Sequence, residues 1–183
     1  MASDDITPWT WIQAVMETVE NMPWWLETAV DRTPLVTHGY PHGWLDECDC
    51  ANNAHGQALV TAGAVFYAGD TFPAPARVPV RLSTEGEWAT NLIVDYARCR
   101  PVVNERGQGP SVEARWEFAD GLYRDGQEIW RALRCAVREW RETGPGFAVL
   151  TSWGPITRDI GQCAGFTYTL TAKVKVCDDC VTE

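Results

Sequence analysis

The sequence predicts an α+β fold: a single, mostly antiparallel sheet of about four strands, with a long helix and an N-terminal helix packed on it. Three observations predict it. Two segments repeat their apolar residues at three- and four-residue intervals, as helices do. Several others alternate or run apolar over strand-like lengths. Their order is helix, strand, strand, long helix, strand, strand, which suits one sheet with helices laid against it.

Thr7-Pro8 opens the first helix, with a hydroxyl at the N-cap and proline in the first turn. Ile12, Val15, Met16 and Val19 then share a face, and Pro23 ends the run. The stretch from His38 to His55 reads as loop, with Gly39, Pro41, Gly43 and Asn52-Asn53. Gln57 to Gly69 reads as a strand with Leu59, Thr61, Gly63, Val65 and Tyr67 on one face. Pro73, Pro75 and Pro79 make the next stretch an extended loop. Trp88 to Arg100 is a second strand, with Leu92, Val94 and Tyr96 as its inner row.

Ser111 caps the long helix. Val112, Trp116, Ala119, Tyr123, Trp130, Leu133, Val137 and Trp140 follow helical spacing, with Gly126 in one slot. Gly121 and Gly126 leave room for a kink or a break, and Gly144-Pro145-Gly146 stops the helix. Phe147 to Trp153 reads as a third strand. The fourth is the clearest: Phe166, Tyr168, Leu170, Ala172, Val174 and Val176 alternate with threonines and lysines, so one face is covered.

Composition narrows the function classes. The net charge is -10, which opposes phosphate and anionic-membrane partners. The one basic feature is Arg131, Arg134, Arg138 and Arg141 at helical spacing, read as a solvated helix face beside Glu128, Glu139 and Glu142. Ten tryptophans, among them the adjacent Trp24 and Trp25, exceed the needs of one small core and point to a partner. The first residues lack the basic and apolar regions of a signal peptide, and no apolar run reaches membrane-span length. The chain is therefore expected to be made and kept in the cytoplasm. Seven cysteines, an odd number, then argue against a disulfide framework.

No motif for nucleotide phosphates or a nucleophile elbow occurs. His38, His42 and His55 fall in one loop, and Cys48 with His55 makes only a paper dyad. Cys48, Cys50, Cys177 and Cys180 together offer four thiolates for a structural zinc; the competing readings are free thiols or a disulfide formed after release from the cell. Cys99, Cys135 and Cys163 read as small buried residues. Phe72, Pro73 and Pro75 put an apolar ring on a stiff arm, suited equally to a neighbouring subunit or to a plain exposed loop.

One order of motifs resembles a known family. Tyr96-Ala97-Arg98-Cys99-Arg100-Pro101 closes a strand, and Pro110-Ser111 leads into the helix through Asp125 to Trp130-Arg131-Ala132-Leu133. Trp153-Gly154-Pro155 and Gly161-Gln162-Cys163-Ala164-Gly165-Phe166 follow, with Cys48-Asp49-Cys50 and Phe72-Pro73 upstream. This is similar to the tail terminator and related head–tail connection proteins of long-tailed phages infecting actinobacteria, across residues 45–176. Residues 1–44 form a Trp-rich helical segment and 177–183 a tail, neither of which the resemblance covers.

The resemblance implies a virion protein at the tail–neck junction, assembled in the host cytoplasm. It would be a ring, usually a hexamer, that caps the tail tube and meets the neck protein. No catalytic residue and no cofactor would be needed, and DNA would pass the lumen without specific binding. An acidic wall would repel that DNA. Phe72, Pro73, Pro75, Trp24 and Trp25 are the expected contact residues. The rival readings are a neck stopper of the same assembly, and a zinc-stabilised cytoplasmic binding module or enzyme using the four thiolates.

Overall fold

A computed structural model describes residues 6–22, 35–38, 57–76, 87–103, 106–157 and 161–175. Within them lie helix α1 (Pro8–Glu20), strands β1 (Leu35–His38), β2 (Gln57–Tyr67) and β3 (Trp88–Cys99), helix α2 (Val112–Glu142), and strands β4 (Ala148–Pro155) and β5 (Cys163–Val174). The sheet runs β1-β2-β3-β5-β4. The four long strands pair antiparallel, as the alternation predicts. The short β1 joins β2 in parallel and makes a fifth strand where the sequence reads none.

The central pair sets the frame. β3 and β5 stay in register without a break from Cys99↔Cys163 to Trp88↔Val174. Cross-strand partners share a face, so Leu92, Val94 and Tyr96 line up with Leu170, Tyr168 and Phe166 beneath the helices. Gly165 holds a place in this ladder that no other residue could take. A Cβ there would sit 1.9 Å from the Tyr96 backbone oxygen.

β2 departs from simple alternation. A register shift between Ala62 and Val65 adds one residue against β3. Val65 and Tyr67 therefore move to the face of Val60 and Ala62, instead of continuing the row of Leu59 and Thr61. The fully buried Thr90 donates its hydroxyl to the Gly63 carbonyl within this bulge, at 3.2 Å.

α1 begins as its sequence predicts. Thr7 Oγ1 accepts from the Thr10 backbone N–H, and Thr10 Oγ1 accepts from that of Thr7, both at 3.3 Å. A cap of this kind stabilises by about 1 kcal/mol. Trp11, Ile12, Val15 and Val19 are buried against the sheet and α2, and each such side chain contributes about 2 kcal/mol. Trp11 packs edge-on to Trp140 of α2, and its indole N–H donates to the Lys173 carbonyl at 2.7 Å. The N-terminal helix thus belongs to the same core as the sheet.

α2 is one unbroken helix, capped by Ser111 Oγ, which accepts from the Ala114 N–H at 3.1 Å. Gly121 and Gly126 interrupt nothing, because both lie where the helix meets other groups closely. A Cβ on Gly126 would approach the Phe166 ring to 2.8 Å and Trp153 to 3.2 Å. The two glycines serve packing, not bending.

The cysteines correct the sequence reading in part: Cys163 is buried as read, but Cys99 is half-buried and Cys135 exposed. Cys99 and Cys163 are disulfide-bonded. Their sulfurs stand 3.8 Å apart, against about 2.05 Å for an S–S bond, so they are not joined to each other. Cys135 is a free thiol on the exposed side of α2, since helical spacing turns it away from Leu133 and Ala136.

Gly165→Ala should cost at least about 2 kcal/mol, because the backbone it strikes cannot yield as a side chain would. Urea unfolding measures this, and an unchanged midpoint would contradict the register given for β3 and β5.

Candidate functional site

α2 is longer than the surface it covers. Its second half is buried through Gly126, Ile129, Leu133, Ala136 and Trp140. Its first half carries large apolar residues on the outward side, in helical phase with Arg134 and turned about 100° from the buried row: Val112 is 55% exposed, Trp116 72% and Tyr123 52%. An isolated exposed apolar residue is ordinary, but a row of large ones at helical spacing marks an interaction surface.

The stripe runs on into an aromatic seam. Trp153 of β4 lies within 6.1 Å, ring centre to ring centre, of Tyr123, Trp130, Phe166 and Tyr168. Beside this seam is an open groove of about 490 Å³, lined by Trp130 and Trp153 with Arg131, Arg134 and Arg138. Arg131 pairs with Glu128, as expected of a solvated helix face. Arg134 and Arg138 have no ion pair among the described residues.

The other flank of α2 has the opposite character. A second groove, also of about 490 Å³, opens between α1 and α2. Ala14, Ala132 and Ala136 line it together with Glu17 and Glu139. Residues 134 and 139 are roughly 140° apart around a helix of 3.6 residues per turn. One helix therefore presents a basic, aromatic flank and an acidic, small-residue flank.

A polar clamp fixes α2 between them. Tyr96 donates its hydroxyl to Asp125 Oδ2 at 2.8 Å, and Arg98 Nη1 donates to the same oxygen at 2.7 Å. Tyr168 donates to the Gly126 carbonyl at 2.9 Å. Burial pushes both phenols well above their ordinary range, and the nearby Asp125 carboxylate adds to this. On the far face of the sheet, the buried Asp95 accepts from Thr167, and Thr171 donates to Asn91 at 3.0 Å. These groups are structural contacts, and among the described residues the Arg98 Nε is the one buried side-chain nitrogen or oxygen without a hydrogen-bond partner.

The sequence-predicted contact residues fare differently. Phe72 does not project as a free arm. Its ring packs on Phe147 at 5.5 Å, and Lys173 Nζ lies over both rings. Lys173 in turn pairs with Glu87, so the loop is tied to its own sheet. Pro73 is half-buried and Pro75 exposed. Trp24, Trp25 and the four thiolates of Cys48, Cys50, Cys177 and Cys180 lie outside the described residues. Among the described residues no three His, Cys, Asp or Glu side chains are grouped to hold a metal, and no helix there is long and apolar enough to cross a membrane.

Sequence reasoning missed the two grooves. The helical spacing of the arginines was visible, but their neighbour Trp153 sits on another element. No protein-family model matches the chain, and no curated protein is significantly similar to it.

The two raised phenols give a pH signature. Each keeps its proton in the fold, while the unfolded chain ionises near the ordinary value of 10. Their contribution is fully present below pH 10 and is lost as pH rises above it, at about 1.4 kcal/mol per pH unit for each tyrosine. Urea midpoints at pH 8 and pH 11 should therefore fall steeply for the wild type. They should fall much less for Tyr96→Phe/Tyr168→Phe, which starts less stable; equal slopes would refute the buried placement.

Proposed function

We propose that this chain is a structural subunit of a ring, a phage tail terminator that caps the tail tube and joins it to the neck. The observation that carries this reading is the exposed apolar row of Val112, Trp116 and Tyr123 on the outward side of a helix whose inner side is seated on the sheet. A stripe of that size would be sticky on a free monomer and needs a protein surface to cover it. The resemblance across residues 45–176 supplies the identity of the assembly.

Three further features support it. A 31-residue helix suits the terminator better than the more β-rich stopper of the same neck. The charge of -10 suits a channel wall past which DNA slides without sticking. Disulfide-bonded Cys99 and Cys163 accord with a particle that leaves the reducing cell interior. Ring, tail tube and neck protein are the proposed partners, and no cofactor is assigned a role.

Light scattering and negative-stain imaging of the purified chain test this directly. Closed rings with a mass that is a multiple of 20.4 kDa are expected. A strict monomer at high concentration, unable to cap tail tubes, would overturn it. Trp116→Ser should leave monomer unfolding within about 0.5 kcal/mol, since the ring is mostly in water already. The same change should weaken assembly at least about tenfold if Trp116 is a buried aromatic anchor there.

A further inference from the structure

A ring built head to tail needs two different faces on each subunit that fit one another. The two flanks of α2 meet that need. We propose that the basic flank of one copy, led by Arg134 and Arg138, docks into the acidic groove between α1 and α2 of the next copy. This rests on the ring reading above.

The chemistry is complementary at three levels. Charge is the first: Arg134 and Arg138 face Glu17 and Glu139, and none of the four has an ion pair within its own chain among the described residues. Shape is the second. Arginine is long, and the acidic groove of about 490 Å³ counts the small Ala14, Ala132 and Ala136 among its lining, which leaves room for it. Apolar area is the third, since the exposed Trp116 and Tyr123 extend the basic flank and would be covered by the same contact. The two flanks diverge around one helix, so a copy cannot satisfy itself and must pair with a neighbour on each side.

Nucleic acid is the competing occupant for arginines beside tryptophans. The overall charge of -10 and the acidic residues flanking this short arginine run favour a second copy of the chain.

Two charge-reversed variants test the pairing by sedimentation velocity: Arg134→Glu/Arg138→Glu and Glu17→Arg/Glu139→Arg. All four side chains are exposed, so unchanged circular dichroism and melting are expected. The wild type should sediment as a ring. Each variant alone should need at least about 100-fold more protein to assemble, because like charges now meet. An equimolar mixture should restore rings of alternating copies, since every reversed face then finds an opposite one.

Variants that assemble like the wild type would overturn the pairing and leave the ring reading intact. A mixture that fails to recover would overturn the head-to-tail fit. A wild type that never assembles would overturn the ring reading and this inference with it. Tight binding of a labelled single-stranded oligonucleotide, lost in the arginine variant while assembly is unchanged, would assign the flank to nucleic acid instead.

Discussion

Tyr168 donates its hydroxyl to the Gly126 carbonyl at 2.9 Å, and the helix seats this closely on the sheet only because Gly126 has no side chain. Phe166 and Trp153 occupy the space a Cβ would need. A glycine within a helix costs about 1 kcal/mol relative to alanine. Here the seating of a long helix on the sheet offsets that cost. With Asp125 held by Tyr96 and Arg98, α2 is fixed at its middle. N-terminal to that point Phe118 still meets Arg98 of β3 and Leu122 packs on the core, while Trp116 lies in helical phase with Arg134 on the outward side, which is why Trp116 is exposed and Trp140 is not.

Much of the fold was legible in the sequence because the signals were local. Thr7-Pro8 and Ser111 mark helix starts by chemistry that acts within one turn. The alternation from Phe166 to Val174 reports a half-covered strand directly. What stayed hidden was set by distant partners. Gly126 reads as a gap in an apolar stripe until Phe166 is seen against it. The bulge in β2 exchanges its faces, and only pairing with β3 reveals that. Leu35–His38 is too short to show a period, and its strand conformation depends on parallel pairing with β2.

The candidate surface divides in the same way. The apolar stripe and the arginine spacing are sequence features, yet neither says which side of the helix is covered. The Phe72 loop reads equally as an arm toward a neighbour or as a plain exposed loop, because proline stiffness does not say where the ring lies. Packing on Phe147 and the cation of Lys173 instead draws it to its own sheet. The surface that remains open is the outward side of α2, where Trp116 and Tyr123 continue the line of Arg134 and Arg138, with the acidic groove on the other flank. A helix anchored at its centre and bare on its outward side presents a rigid face, so little ordering entropy is lost when a partner covers it.

Cryo-electron microscopy of the assembled particle tests the central claim most directly. A closed ring is expected, with Trp116 and Tyr123 of each copy buried against the next and its neighbour's α1–α2 groove facing the arginines. A particle in which that side of α2 remains bare to solvent, or a two-fold dimer that pairs identical faces, would contradict it.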